Sequence, residues 1–389
     1  MNHMYGVDET SQEWIHKAAA IADGFREQAA EVDRAGCFPE AAISELGQQG
    51  LLGLAIPEQN GGQGQPPRVL AGVVEELAMV CPSTAMIYVM HVSASQAIVG
   101  SACLANRDRL LKEIACGQHL TTLAFSERGS RSQFWAPVSR LVGTQQDGFV
   151  TSASKSWVTA ARHADSYVCS GQQPNAASPM ESVLYLADPK AEQVTVSGTF
   201  DGLGLRGNDS APVEISELPV ESGALLTEPG DGTTMMLEVV LPWFAVGTAA
   251  MANGICRAAV AATSRHLQDA GFSHDDTRLR DLPNLRARLA EMNCRTEESR
   301  ALLGHTVQRM LTPDEQTPLY VLQSRMAALN TAVHVTDLAM KACGGAAFSL
   351  HLGVEQMFRD ARAGWVMAPT VDHLQEFVGR ALTGLPLFQ

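Results

Sequence analysis

GFVTSASKSWVTA, residues 148–160, is a run of β-branched and aromatic residues in the middle of a chain whose two ends are written in helical periods. The turn residues Gln146-Asp147-Gly148 introduce it. Six more runs of the same kind surround it: LTTLAFS (120–126), RLVGTQ (140–145), SYVCSG (166–171), SVLYLAD (182–188), EQVTVSG (192–198) and PVEISELPV (212–220). Short β-rich segments separated by turns predict an antiparallel, barrel-like β domain over 119–229.

On the N-terminal side, Trp14, Ile21, Phe25 and Val32 recur at steps of four and seven, which predicts one apolar stripe on a single helix. Pro39 opens a second helix carrying Ile43 and Leu46. The Gly- and Pro-rich stretch LLGLAIPEQNGGQGQPP (51–67) is a loop, and helices resume at 67–80, 83–104 and 107–117. After Glu228-Pro229-Gly230, helical patterns cover 232–269, 281–311, 316–342, 353–364 and 370–383, lengths that suit an antiparallel four-helix bundle with a terminal helix. The expected architecture is α+β, with an N-terminal helical domain (1–118), a middle β domain (119–229) and a C-terminal helical bundle (230–389). The apolar residues Leu374, Phe377, Val378 and Leu382 on the last helix predict a face that only an oligomer covers.

The chain has 389 residues and a net charge of −14, which argues against nucleic acid and anionic membrane surfaces as partners. No run of eighteen apolar residues marks a membrane span. The acidic start MNHMYGVDETSQEW has the character of neither a secretory nor a mitochondrial leader, so the cytoplasm is the expected compartment. The eight cysteines are scattered without CxxC spacing, as expected of reduced thiols, and the dispersed histidines offer no metal-binding spacing.

Five local motifs, in order, resemble those of the acyl-CoA dehydrogenase superfamily along essentially the whole chain. They are LGLAIPEQNGGQG (52–64), LAFSERGSRS (123–132), KSWVTAARHAD (155–165), LGLRGNDSAPVEISELPV (203–220) and KACGGAAFSLHLGVEQMFRDAR (341–362). The resemblance implies a tetrameric flavoprotein with FAD between the β domain and the bundle, its far end reaching a neighbouring subunit. It implies that Phe125, Ser126 and Ser132 line the isoalloxazine and ribityl chain, that Trp157 backs the ring and that Thr159 donates to the N5 edge. Gly344 and Gly345 would approach a phosphate, and Thr370 would touch the diphosphate. Read from the residues alone, Trp157 suits a β-domain core, Thr159 an ordinary strand and Thr370 a helix cap. Gly344-Gly345 equally suits a helix-ending turn, and Arg359-Asp360 a solvated helix pair.

Three departures from the pattern bear on chemistry. Ala368, in Met367-Ala368-Pro369-Thr370, stands where the superfamily carries its α-proton-abstracting glutamate, and the alternative base position aligns with Phe244. Neither side chain accepts a proton, so Asp372, one turn beyond Ala368 with His373 behind it, is the candidate substitute base. Its carboxylate also suits a helix N-terminus on dipole grounds alone. Asp269, in HLQDAGFSHDDTRLRD, replaces an arginine expected at the diphosphate, although Phe272 remains. Lys341 replaces a glutamine and is the expected compensating cation, with Arg278 and Arg280 as looser candidates.

These features lead to a flavin-dependent dehydrogenase introducing an α,β double bond in an acyl thioester, with an electron-transfer flavoprotein as redox partner. The first alternative is a two-component monooxygenase of the same fold, using FMN or reduced flavin delivered by a flavin reductase. The second is a base-less subunit of a mixed tetramer.

Overall fold

In the computed structural model, which describes residues 4–144 and 146–387, six helices precede the first strand: α1 (Glu9–Gly24), α2 (Arg26–Ala35), α3 (Glu40–Gln48), α4 (Pro67–Ala78), α5 (Pro82–Val99) and α6 (Arg107–Ala115). Asp8 caps α1 by accepting from the Ser11 N–H at 2.9 Å. The expected single N-terminal helix is two helices. Phe25 leaves the helical region (φ −106°, ψ 11°) right after Gly24, so Trp14 and Ile21 lie on α1 while Val32 lies on α2. Helix α5 is apolar on every side and buried from Pro82 to Ile98, the pattern of a helix enclosed in a core.

Seven strands follow: β1 (Thr121–Ala124), β2 (Arg140–Thr144), β3 (Gly148–Val158), β4 (Ser166–Gln172), β5 (Ser182–Ala187), β6 (Val194–Val196) and β7 (Ala211–Val220). They form one curled sheet in the order β1-β4-β2-β3-β7-β6, with β5 on β4. The sheet is mixed, not wholly antiparallel as the sequence predicts. β1 runs parallel to β4, and β2 meets β4 in parallel at Arg140–Gln172.

In β3, residues Phe149, Thr151, Ala153 and Lys155 are buried on alternate positions, then the pattern slips and Val158 is the next buried residue. The slip is a bulge, seen as a register shift against β7 between Lys155 and Val158. It leaves Trp157 in the left-handed region at φ +58°. A bulge that re-aims one side chain in this way is common beside functional sites.

The C-terminal part begins with one turn, α7 (Gly232–Thr234), continues as a π-helical turn (Met235–Val240) and becomes α8 (Leu241–Asp269). Then come α9 (Pro283–Arg309), α10 (Thr317–Cys343), α11 (Val354–Val366) and α12 (Val371–Leu382). Gly232–Asp269 is long and apolar enough to cross a membrane, but 67% of its apolar window is buried within the molecule, as a core helix requires. α8 packs against α4 so closely that a Cβ on Gly254 would lie 2.5 Å from the Glu75 carbonyl oxygen. At the same junction Glu75 is buried between Arg257 (2.7 Å), Arg300 (2.9 Å) and the Tyr5 hydroxyl, tying the N-terminal segment to α4, α8 and α9. The face of α12 expected to be uncovered is largely buried within the chain. Leu374, Phe377 and Val378 pack inside, and only Leu382 is exposed.

One buried ion pair anchors the sheet to the segment after β1. Lys155 Nζ lies 2.5 Å from Glu127 Oε1 and donates to the Ser170 carbonyl at 2.7 Å. The other Glu127 oxygen accepts from the Val138 and Ser139 N–H groups at 2.6 and 2.7 Å. Both side chains are almost wholly removed from solvent. Removing one partner of such a pair leaves an uncompensated buried charge and costs about 3–5 kcal/mol. Lys155→Met is therefore expected to lower folding stability by about that amount in a urea titration, a loss that an exposed surface pair would not produce.

Candidate active site

A cleft of about 1050 Å³ opens between the sheet, α5, the start of α8 and α11. Its apolar side is built from Met86 and Met90 of α5, Leu241 and Phe244 of α8, and Ala363 and Val366 of α11. The polar side is the 126–132 segment with Ser156 and Thr159, and Phe200–Leu205 also lines the cleft, with Asp201 and Leu203 exposed at its mouth. Phe125, Ser126, Ser132, Trp157 and Thr159 thus meet in one cleft, as do Phe244 and Ala368.

Trp157 is not a core aromatic. It is 64% exposed, with its ring edge-on to Phe200 at 6.1 Å. Thr159 is buried just beyond the end of β3, its hydroxyl 2.9 Å from that of Ser210. Arg131, Ser132, Trp157 and Leu205, all on the cleft, have φ between +51° and +67°. Left-handed backbone costs a non-glycine residue on the order of 1–3 kcal/mol and persists where the surroundings over-determine it, chiefly at ligand sites.

The cleft fits a flavin on these grounds. An exposed indole offers a flat apolar face, hydroxyls line one side, and the volume exceeds that of a typical small-molecule pocket.

The floor beneath residue 368 is electrostatically unusual. Arg325 of α10 is fully buried and donates to the carbonyls of Pro369 (2.7 Å) and Met367 (3.2 Å) and to the Thr248 hydroxyl (3.0 Å). Its guanidinium also lies over the Phe244 ring, 5.0 Å from the centroid. Burial pushes its pKa down to about 9. Among the described residues it has no carboxylate within ion-pair distance.

Among the described residues, two carboxylates line the cleft, Glu127 and Asp201. Burial works to raise the pKa of Glu127, but the Lys155 ammonium and the Ser139 donors outweigh it and hold the carboxyl below the ordinary range. With both oxygens occupied, Glu127 holds the loop in place and is no proton acceptor. Asp201 is exposed and has no hydrogen-bond or ion-pair partner among the described residues.

Arg359-Asp360 is far from a solvated pair. Arg359 binds Asp33 of α2 through two nitrogens (3.0 and 2.5 Å), Glu355 at 2.9 Å and the Leu203 carbonyl at 3.1 Å. Asp360 is buried and accepts from the Leu205 N–H at 2.6 Å. Gly204 packs on the same turn of α11, where a Cβ would come within 2.6 Å of the Arg359 carbonyl oxygen. The pair therefore fastens the 203–205 mouth segment to α11. Burial pushes the Asp360 carboxyl up to about 7, although the Leu205 N–H favours its charged form.

Five expected site residues do not line this cleft: Lys341, Gly344, Gly345, Thr370 and Asp372. The Lys341 ammonium is exposed and 2.7 Å from Asp337, one turn earlier on α10. Gly344 and Gly345 are exposed at the end of α10, with open space where a Cβ would project. Thr370 caps α12, its hydroxyl oxygen accepting from the His373 N–H at 3.3 Å. Asp372 lies in the first turn of α12. α12 starts at Val371 and buries Val371, Leu374 and Phe377, which leaves Asp372 and Glu376 exposed to solvent. Nor do the looser cations replace the missing arginine, since Arg278 donates to the carbonyls of Gln268 and Asp269 at the end of α8.

Arg128 and Arg131 lie inside LAFSERGSRS, whereas Phe200, Asp201, Met86 and Met90 belong to none of the quoted motifs. Only folding brings those four to the cleft, and no spacing rule links them.

Comparison with known proteins matches residues 5–118 to the acyl-CoA dehydrogenase N-terminal domain and residues 230–382 to the C-terminal domain. The chain is 26% identical to cyclohex-1-ene-1-carbonyl-CoA dehydrogenase of Geobacter metallireducens, over 91% of this chain and 93% of that protein. It is 25% identical to the human mitochondrial short-chain specific acyl-CoA dehydrogenase, covering 86% and 80% of the two chains. Butyryl-CoA dehydrogenase from Megasphaera elsdenii superposes with a TM-score of 0.91 at 19% identity, over 97% of this chain and 99% of that one, which shows a shared fold.

Because the folded pKa of Asp360 lies above the ordinary carboxylate value, its contribution to stability is complete below about pH 4 and is lost as pH rises through about 7. Asp360→Asn keeps a carbonyl oxygen for the Leu205 N–H and cannot ionise. Denaturant unfolding at pH 4, 5, 6 and 7 is expected to show the variant losing less stability than the parent across that range. Parallel pH profiles would refute the assignment.

Proposed function

The chain belongs to the acyl-CoA dehydrogenase superfamily, a family of oxidoreductases, and from that premise we propose that it uses FAD to introduce an α,β double bond in an acyl thioester, with the proton acceptor displaced from position 368. The observation that carries this reading is the exposed Trp157 on a strained, hydroxyl-lined wall facing an apolar pocket. A flavin bound there would supply the two-electron acceptor for the β-hydride. Trp157 presents the flat face against it, and Thr159, whose hydroxyl can accept from Ser210, has its own proton free to donate toward N5. Met86, Met90, Leu241 and Phe244 exclude water from the acyl chain.

The α-proton needs an acceptor, and Ala368 and Phe244 offer none. Glu127 is saturated with donors, which leaves Asp201, on the mouth beside Phe200, as the cleft carboxylate able to receive it. Electrons would leave to an electron-transfer flavoprotein. A homotetramer fits the exposed Phe348 (85%), Leu350 (72%) and Val366 (72%) around α11.

The apolar pair at 368 and 244 favours a second reading, a monooxygenase that takes reduced FMN or FAD as co-substrate. The flavin content of the purified protein separates the two. Tightly held oxidised FAD supports the dehydrogenase, and a flavin-free protein active only with a flavin reductase and oxygen supports the monooxygenase.

Trp157→Ala is expected to lose bound flavin or shift its absorption bands, and an unchanged spectrum and content would remove Trp157 from the ring. General-base assistance is typically worth about 10²–10⁴ in rate. Asp201→Asn is therefore expected to slow thioester-dependent flavin reduction by about 10²-fold or more while leaving the oxidised flavin spectrum intact. Reduction at the parental rate would exclude Asp201 as the acceptor.

A further inference from the structure

Arg325 is the bulkiest of the fully buried side chains among the described residues, and it is a cation. It donates to the Pro369 carbonyl at 2.7 Å, the Met367 carbonyl at 3.2 Å and the Thr248 hydroxyl at 3.0 Å. Those carbonyls belong to the two chain neighbours of Ala368, so the guanidinium brackets that position from behind. Its face lies over Phe244, 5.0 Å from the ring centroid. Ala368 and Phe244 both line the cleft, while Arg325 stays behind them and out of it.

Part of this arrangement is bracing. Met367 ends α11 and Thr370 caps α12, and carbonyls of the turn between them find their donor in Arg325. Bracing needs hydrogen-bond donors, which a neutral side chain supplies, and it does not need a charge. The three acceptors are uncharged, and among the described residues no carboxylate lies within ion-pair distance of Arg325. A buried cation without a counter-ion is unfavourable, and this chain has 42 acidic residues from which one could come. Lys155, equally buried, is balanced by Glu127 at 2.5 Å. Arg325 is left uncompensated behind the apolar pair at 368 and 244.

We infer that the charge of Arg325 makes the cleft wall at residue 368 anion-stabilising, so that a carbon acid bound against it is acidified before any base acts. The inference rests on the thioester reading for the identity of that carbon acid, and on the geometry alone for the wall. In the thioester, the α C–H bond breaks, the proton passes to Asp201 and the electron pair spreads onto the thioester carbonyl oxygen. That pair then forms the α,β double bond as the β-hydride leaves for the flavin. Negative charge is greatest between those two events, and a fixed cation behind the wall is worth most there. Asp201 stands exposed at the mouth, so this support comes from the opposite side of the cleft from the proton acceptor's solvent. A wall that stabilises the carbanion lets a displaced base suffice where Ala368 and Phe244 supply none.

The test places a thiol at the wall with Ala368→Cys in the flavin-free protein. The rate at which iodoacetamide alkylates Cys at 368, followed against pH by peptide mapping, gives its pKa, with the exposed Cys37 and Cys116 as references in the same digest. A thiol is acidified beside a cation and made less acidic in apolar surroundings. The new thiol is expected to titrate about one unit or more below the two references. Adding Arg325→Lys, which keeps the charge, is expected to preserve the shift, and adding Arg325→Gln, which keeps a donor for the brace, to abolish it. A thiol at or above the references in the Ala368→Cys protein would overturn the inference without any change at Arg325, so an unstable double variant does not shield it. A shift that survives Arg325→Gln would overturn it as well. In a second arm, acetoacetyl-pantetheine, a carbon acid whose enolate absorbs in the near ultraviolet, is titrated into the otherwise unaltered protein and into Arg325→Gln. Its ionisation constant is expected to rise about tenfold or more on binding to the first and to stay at the free value in the second. An ionisation constant raised equally in both would again overturn the inference. A shifted thiol together with no binding of the thioester to any form would uphold the role of Arg325 and overturn the thioester reading instead.

Discussion

Lys155 and Glu127 hold the cleft together from inside. An ammonium and a carboxylate removed from water are costly, and the cost is offset only where every remaining lone pair and proton finds a partner. Here the carboxylate collects donors from Lys155, Val138 and Ser139, and the ammonium reaches the Ser170 carbonyl as well as the carboxylate. Those partners belong to β3, β4 and the segment leading into β2, so one polar node fixes several parts of the curled sheet at once. The 126–132 segment takes its shape from this node, and Trp157 lies only two residues beyond Lys155. Displacing the pair would disturb both walls that a flat ligand needs.

Strain around the cleft is maintained by similar devices. The bulge in β3 turns Trp157 outward, and Asp360 holds Leu205 in a left-handed conformation through its backbone N–H. Arg359 reaches from α11 to α2, so the mouth segment is clasped between the C-terminal bundle and the N-terminal helices. Helix α5 supplies the opposite wall from the most enclosed part of the core. The cleft is therefore an interface of all three parts of the chain.

This explains which features the sequence disclosed. The seven strands and the bundle helices were legible because β-branched runs and helical periods are local signals. The break at Phe25 was not, since Trp14, Ile21 and Val32 keep an apolar rhythm across two helices. Phe125, Ser126, Ser132, Trp157 and Thr159 could be collected through a resemblance in motif order, while their own spacing pointed only to strands. Ala368 lies outside α12, so the helical spacing that links it to Asp372 in the sequence does not hold in the fold. Lys341 was read without Asp337, whose position four residues earlier already offered it a partner. Asp360 looked like a surface residue because burial by Leu205 and Gly204 comes from a segment more than 150 positions away.

Arg325 gives the cleft a property that no list of its lining residues contains. Its guanidinium is tied to main-chain carbonyls, which carry dipoles but no net charge, so its field is only partly cancelled. With a pKa near 9 it stays cationic through neutral pH. The ground beneath Phe244 and Ala368 thus holds a standing positive potential, set when the chain folds and independent of what later enters. Any group that gains negative charge above that ground is met by a field already oriented.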